Sequence, residues 1–240
     1  MKVISVEDYA ELSATAGRII AELIRQKPAC TLGLATGSTP LGTYQYLVES
    51  FRAGEISFKE VKTFNLDEYC ELPRSHPQSY YRFMDDNLFQ HVDLRPENIH
   101  IPCTEGSELQ EQCDSYNALL SSHVIDLQLL GIGSNGHIGF CEPGTPFSQE
   151  TFLTRLSDKT REDNKRFFNS LDEVPTTAVT MGIKNILEAR SILLIARGRA
   201  KAECVAQMIN GPISEQLPAS ALRQHPDVTV IVDKEAAALL

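Results

Sequence analysis

The sequence predicts an α/β fold, a mostly parallel sheet covered by helices on both faces. Three observations carry this. Short runs of apolar and β-branched residues alternate along the chain with stretches of helical periodicity, the pattern of βαβ units. Several of those runs are apolar throughout, as strands buried on both faces require. Each segment rich in glycine, hydroxyls or cations next to a strand falls just after its carboxyl end, where parallel sheets hold their ligands. No linker or internal repeat interrupts the pattern, so residues 1–240 read as one domain.

The composition narrows the class of function. With 42% hydrophobic and 22% charged residues the chain is neither disordered nor membrane-like. A net charge of -10 argues against a general affinity for nucleic acid or anionic membrane, so an anionic ligand needs a local basic pocket. No apolar run approaches the roughly twenty residues that span a bilayer. The start, MKVISVEDYAEL, lacks the basic-then-apolar form of a signal peptide, and a cytoplasmic location is the expectation. The cysteines Cys30, Cys70, Cys103, Cys113, Cys141 and Cys204 show no C-x-x-C and no zinc-like pairing, so free thiols are expected.

In chain order, residues 7–25 set Tyr9, Leu12, Ala16, Ile19, Ile20 and Leu23 on one helical stripe, which Pro28 closes. Residues 30–35, CTLGLA, read as a buried strand running into Thr36-Gly37-Ser38-Thr39-Pro40. Thr39 as N-cap with Pro40 at the first helical position begins a helix over 41–53. A glycine, hydroxyls and free N–H groups at such a start suit phosphate; the same residues also serve as a plain cap. Residues 61–65, VKTFN, form the next strand and lead into Leu66-Asp67-Glu68-Tyr69, whose paired carboxylates suit either a site or a solvated turn. Residues 77–89 are helical in pattern with Tyr80, Tyr81 and Phe83 as packing aromatics, 99–101 a short strand, 108–122 a helix, and 125–130 the central strand.

Beyond it, 151–156 reads as extended. Residues 159–168 are charged, and Arg161, Lys165 and Arg166 make a basic cluster that is either a solvated face or a ligand contact. Residues 176–181 are β-rich, 182–189 helical, and 191–196, SILLIA, a buried strand followed by Arg197-Gly198-Arg199-Ala200-Lys201, which opens a helix. Residues 228–232 give the last strand and 234–240 a short terminal helix.

The central loop, LGIGSNGHIGFCEP over residues 130–143, is the richest in chemistry. Gly131-Ile132-Gly133-Ser134-Asn135-Gly136 is a literal G-x-G-x-x-G, but Gly139, Pro143, Gly144 and Pro146 follow where a dinucleotide site needs a helix, which argues against that use. His137 and Glu142 on this loop are candidates for proton transfer, and Cys141 for a nucleophile if a base lowers its pKa. Because the loops after four strands share one edge of a parallel sheet, the 36–40 hydroxyls, Asp67, His137 with Glu142, and Lys201 are expected to converge. Cations and hydroxyls at one end with acid-base groups at the other fit a small phosphorylated substrate.

These residues carry a specific resemblance. LATGSTPLGTY at 34–44, FNLDEYCELPRSHPQSYYRFM at 64–84, GIGSNGHIGFCEPGTPF at 131–147, and the later RFF and RGRAKA segments are similar to the glucosamine-6-phosphate deaminase family, in order and nearly end to end. The resemblance implies a Rossmann-like three-layer fold. It also implies an enzyme of the hydrolase or isomerase type that converts glucosamine 6-phosphate to fructose 6-phosphate and ammonia, in amino-sugar catabolism, without metal or organic cofactor. It gives Asp67 the role of the base that moves the C2 proton toward C1 and His137 that of opening the ring, with Asn135 and Glu142 orienting it. Glu68 becomes structural or secondary. Phosphate falls to Gly37, Ser38 and Thr39 with Arg166 and Lys201, while Gly131 and Gly139 let backbone approach the sugar.

Two departures from the family pattern stand out. Asn135 occupies a position that is aspartate in some members, leaving more of the orienting to Glu142, and Cys141 replaces the usual asparagine. The basic effector residues of hexameric members are not matched at Phe152 and Thr154, so a monomer or small homo-oligomer without an amino-sugar-phosphate activator is expected. The small-molecule substrate is the implied partner, with no nucleic acid and no membrane. Two rivals remain: a 6-phosphogluconolactonase, which has no need of a carbon-acid base at Asp67, and a non-catalytic sugar-phosphate sensor.

Overall fold

A computed structural model describes residues 1–104, 108–165 and 168–240. Among these residues ten strands are formed: β1 (Lys2–Val6), β2 (Thr31–Leu34), β3 (Lys62–Asn65), β4 (Asp67–Tyr69), β5 (Ile99–His100), β6 (Leu127–Leu130), β7 (Phe152–Arg155), β8 (Thr177–Thr180), β9 (Ile192–Ala196) and β10 (Val228–Asp233). The α-helices are α1 (Tyr9–Gln26), α2 (Leu41–Arg52), α3 (Tyr80–Asn87), α4 (Leu109–Ser121), α5 (Asp158–Asn164), α6 (Ile183–Leu187) and α7 (Ala202–Asn210).

Seven strands make one parallel sheet in the order β1-β10-β9-β6-β2-β3-β5, flanked by helices. Every residue of β2, β6 and β9 is buried, which is why they read as continuous apolar runs. From β2 the chain winds outward through β3 to β5, then returns to β6 on the other side of β2 and winds away through β9 and β10. The switch point therefore lies between β2 and β6, and a crevice opens beyond their carboxyl ends. The four loops singled out in the sequence follow β3, β2, β6 and β9, four adjacent strands.

The strands expected at 151–156 and 176–181 do form, but in a separate antiparallel sheet, β4-β8-β7. Leu66 joins the sheets: its N–H donates to the Leu34 carbonyl (3.2 Å), and its carbonyl accepts from Met181 N–H (2.7 Å). The chain thus leaves β3 in one sheet and enters β4 in the other within one residue, setting Asp67 at the junction.

Several boundaries differ from expectation. Helix α2 starts at Leu41 with Pro40 in the cap position, not with Thr39 as cap. Its ring fixes Pro40 near helical φ, and the Pro40 carbonyl already accepts from Tyr44 N–H (3.0 Å). Residues 234–240 form turns rather than a helix. Their bonds alternate between four-residue and three-residue spacing (Ala237 N–H to Asp233 O, then Ala238 N–H to Glu235 O), so no continuous helical ladder runs through them. Strand β1, which pairs with β10, was not read from the sequence because only Val6 of it is buried.

Gly182 shows how tightly the two sheets meet. A Cβ there would stand 2.0 Å from the Gln149 carbonyl oxygen and 2.4 Å from that of Glu150, both backbone atoms. Gly182→Ala is expected to destabilise the fold by about 2–3 kcal/mol, since the backbone itself must move. A denaturant titration that finds no change contradicts this packing.

Candidate functional site

The loop after β6 is built by its glycines. Gly133 N–H donates to the His137 carbonyl (2.9 Å) and Gly136 N–H to the Gly133 carbonyl (3.0 Å), with Gly136 at φ +82°. The loop curls so tightly that a Cβ on Gly133 would lie 2.3 Å from Cε1 of the His137 ring. Turns, not a helix, follow Gly136. A dinucleotide's pyrophosphate therefore has no helix N-terminus to face here.

The curl gathers three side chains. Glu142 Oε2 accepts from Asn135 Nδ2 (2.8 Å) and stands 3.9 Å from His137 Nδ1, while Asn135 Oδ1 accepts from His137 N–H (3.3 Å). The other oxygen, Glu142 Oε1, accepts from Ser157 Oγ (3.0 Å) and, in a short bond, from Thr160 Oγ1. Burial opposes charge on Glu142. Hydrogen bonds from Thr160, Asn135 and Ser157 and the nearby His137 outweigh it and hold the carboxyl below its ordinary pKa.

Asp67 comes to the same loop from the junction of the sheets. It pairs with Thr180 across β4 and β8 and is buried. Gly139, at φ +56°, leaves room there: a Cβ on it would lie 3.5 Å from Asp67 Oδ2 and 3.0 Å from Thr180 Oγ1. Thr180 Oγ1 also accepts from Phe140 N–H (3.1 Å), fastening the loop over Asp67. Burial, then the neighbouring Glu68 charge, pushes the Asp67 carboxyl up to about 8.

Glu68 itself points away from this centre. Its Oε1 accepts from Tyr69 N–H (2.9 Å) and Tyr80 N–H (2.8 Å), and its Oε2 from Tyr81 N–H (2.8 Å), so it ties β4 to the first turn of α3. This is a structural placement.

The other expected binding residues line the same sheet edge. Gly37 has φ +102° and open space where a side chain would be, as has Gly131. Tyr9 fastens the 36–40 loop from behind, its hydroxyl donating to the Ser38 carbonyl (3.2 Å) and accepting from Gly42 N–H (2.9 Å). Thr39 lies within that loop. Lys201 ends a 3₁₀ turn after β9, and the Cys204 thiol lies 3.2 Å from the Lys201 carbonyl and 3.3 Å from that of Gly133, joining this turn to the glycine loop. Arg166 lies outside the described residues.

Of the basic cluster expected near it, Arg161 donates to the carbonyls of Leu171 (2.8 Å) and Val174 (3.1 Å), and Lys165 pairs with Glu162. Arg161 thus holds local structure, while Lys165 lies on the exposed surface.

A cavity of about 220 Å³ opens beside Gly37, walled by Tyr69, Tyr80, Phe83, Asn164 and Phe168. Tyr80 stacks on Phe140 (centroids 5.9 Å) and lies 4.7 Å from Tyr69, so the aromatics join α3, β4 and the glycine loop. A larger hollow of about 480 Å³ touches Ser38, Tyr9 and Arg197, and neither cavity is lined by Asp67, His137 or Glu142. Cys141 is buried with its thiol on the Met181 carbonyl (3.3 Å), and burial pushes it far up, which suits packing and not nucleophilic attack. All six cysteines are free. Among the described residues no three His, Cys, Asp or Glu side chains group as metal ligands.

Sequence reasoning did not find Tyr9, Ser157, Thr160, Thr180 or Cys204. They reach the site through the fold from distant segments, and only the S-x-x-T pattern at a helix start gave a local signal for two of them.

With this geometry in place, comparisons identify relatives. A family profile described as glucosamine-6-phosphate isomerases/6-phosphogluconolactonase matches residues 7–231. The glucosamine-6-phosphate deaminase of Thermoanaerobacter pseudethanolicus is 48% identical over 241 residues, covering 100% of this chain and 95% of the relative. Glucosamine-6-phosphate deaminase 1 of Bacillus subtilis is 48% identical, covering 100% and 99%. A solved monomeric glucosamine-6-phosphate deaminase superposes with a TM-score of 0.98 at 48% identity, covering 100% of both chains. The 6-phosphogluconolactonase of Trypanosoma brucei shares the fold at TM-score 0.80 and 22% identity, covering 100% and 98%.

Proposed function

The chain belongs to the glucosamine-6-phosphate isomerase/6-phosphogluconolactonase family, and from that membership we propose that it isomerises and deaminates glucosamine 6-phosphate, giving fructose 6-phosphate and ammonia. One observation carries the choice within the family: a buried carboxylate, Asp67, lies against Gly139 of the same loop that holds His137 on Glu142. A lactonase needs no base for a carbon acid, and the Trypanosoma brucei lactonase resembles the chain at 22% identity against 48% for the solved deaminase.

The steps follow from the groups present. Phosphate rests on the N–H groups and hydroxyls of Gly37, Ser38 and Thr39, with Lys201 and Arg166 supplying positive charge, and anchors the sugar without reacting. His137 moves the proton between the C1 hydroxyl and the ring oxygen as the ring opens, and the Glu142 carboxylate stabilises the cation it becomes. Asp67 takes the proton from C2, giving an enolamine, and returns it to C1, giving the imine of the ketose. Water adds to C2 of that imine and ammonia leaves, so one water is consumed for each ammonia released. With its carboxyl near 8, Asp67 holds a proton in the empty site at neutral pH; the substrate's own ammonium group beside it favours the charged form, which is a strong base for the C2 proton.

Because bond cleavage follows isomerisation, the class is that of an isomerising deaminase; the hydrolase class expected from the sequence is set aside, in keeping with the family's description. No helix among the described residues is long and apolar enough to cross a membrane. We place the enzyme in the cytoplasm, acting as a monomer or small homo-oligomer, which the monomeric solved relative supports.

The test is a coupled assay for fructose 6-phosphate and ammonia. Equal amounts of both from glucosamine 6-phosphate are expected. Hydrolysis of 6-phosphogluconolactone without ammonia release means the lactonase, and tight binding without turnover means a sensor.

A further inference from the structure

We propose that Ser157 and Thr160 are positioning residues for the ring-opening histidine: they hold the Glu142 carboxylate against His137 and make the seating of α5 part of the same unit. The inference rests on the proposed deaminase reaction and adds two residues to its machinery. Three observations carry it.

First, the carboxylate is divided between two segments of the chain. Oε2 serves Asn135 and His137 on its own loop, while Oε1 accepts from Ser157 Oγ (3.0 Å) and Thr160 Oγ1, both on another segment. A carboxylate gripped at both oxygens cannot rotate, so the 3.9 Å approach of Oε2 to His137 Nδ1 is fixed from the far side.

Second, this grip anchors α5, together with the Arg161 bonds to the Leu171 and Val174 carbonyls. Ser157 is its N-cap, with Oγ accepting from Thr160 N–H (3.1 Å), and Thr160 at 2% exposure is the only buried side chain of the helix among those described. Seven residues are too few to be helical alone. Among the described side chains, the buried one that α5 sends into the body of the protein therefore ends on Glu142.

Third, the other end of α5 reaches a cavity bordered by Gly37, the first of the candidate phosphate residues: Asn164 lines it together with Tyr80. A ligand that fills this cavity contacts α5 at Asn164, and α5 contacts the acid-base group at Thr160. Coupling of this kind is reciprocal, so a well-seated helix favours the oriented, charged Glu142, and that carboxylate favours the seated helix.

The experiment compares Thr160→Val, Thr160→Ser and Ser157→Ala with wild type, and Asp158→Asn, an exposed neighbour, as control. Valine keeps the shape and removes the hydroxyl. For Thr160→Val, kcat is expected to fall about 10–100-fold with KM within about threefold, and Thr160→Ser to recover most of it. Ser157→Ala should fall less, and the control not at all. Ring opening then limits the variant, so the rate ratio between substrate carrying hydrogen and deuterium at C2 should drop toward one in Thr160→Val. A merely structural role predicts a different pattern, a rise in KM with the isotope ratio unchanged. That pattern, or an unaltered kcat, overturns the inference while leaving the deaminase reading intact. A wild-type protein that releases no ammonia overturns the reading and the inference with it.

Discussion

Replacing Asp67 by asparagine is expected to cut kcat for ammonia release by about 10³-fold while leaving the affinity for glucosamine 6-phosphate within a few-fold of wild type. The amide keeps the shape of the side chain but has no basic oxygen for the C2 proton, and the phosphate contacts lie elsewhere. The same substitution should raise stability. Burial and Glu68 push the Asp67 carboxyl up to about 8, well above its ordinary range. Between roughly pH 4 and 8 the folded chain therefore keeps a proton that the unfolded chain has released, so the favourable contribution, complete below about pH 4, is lost as pH rises through the folded value. Asp67→Asn has no proton to lose. It should exceed wild type by roughly 2–4 kcal/mol at pH 9, with the gap closing toward pH 4. Denaturant titrations at the two pH values check this, and a variant less stable than wild type at pH 9 contradicts the buried, proton-holding carboxyl.

The second large effect comes from one methyl group. Gly133→Ala puts a Cβ 2.3–2.5 Å from three atoms of the His137 ring. The ring must swing away from Glu142 and Asn135, and a displacement of about 1 Å in an acid-base group costs on the order of 10² in rate. We expect kcat/KM to fall by about 10²–10³ with the melting temperature nearly unchanged, because alanine is tolerated by the backbone wherever φ is not positive and reduces the entropy of the unfolded chain. Circular dichroism melts and steady-state rates measured together decide it. Loss of fold in step with activity would mean that the loop, not the histidine's place, was disturbed.

Much of this was legible in the chain because the strands that matter are buried on both faces. β2, β6 and β9 announce themselves as unbroken apolar runs, and the loops that follow them carry glycine, hydroxyl and charge. What was not legible depends on partners distant in sequence. β4 has only three residues and owes its existence to pairing with β8, more than a hundred residues on. β1 is an edge strand with one buried side chain. Glu68 looks no different from its neighbour Asp67 in sequence, yet one meets the backbone of α3 and the other the glycine loop. Thr160 sits in a charged stretch that reads as a solvated face, and only the fold turns it onto Glu142. The resemblance to the deaminase family supplied roles that spacing alone left open.

One crevice moves a proton off C2 before nitrogen leaves. The most direct test of this is turnover of glucosamine 6-phosphate carrying deuterium at C2, with the product followed by NMR. The expected product is fructose 6-phosphate with deuterium gone from C2 and part of it at C1, delivered there by Asp67. An aldose phosphate that still carries the label on C2 would mean direct displacement of the amine and would contradict this order.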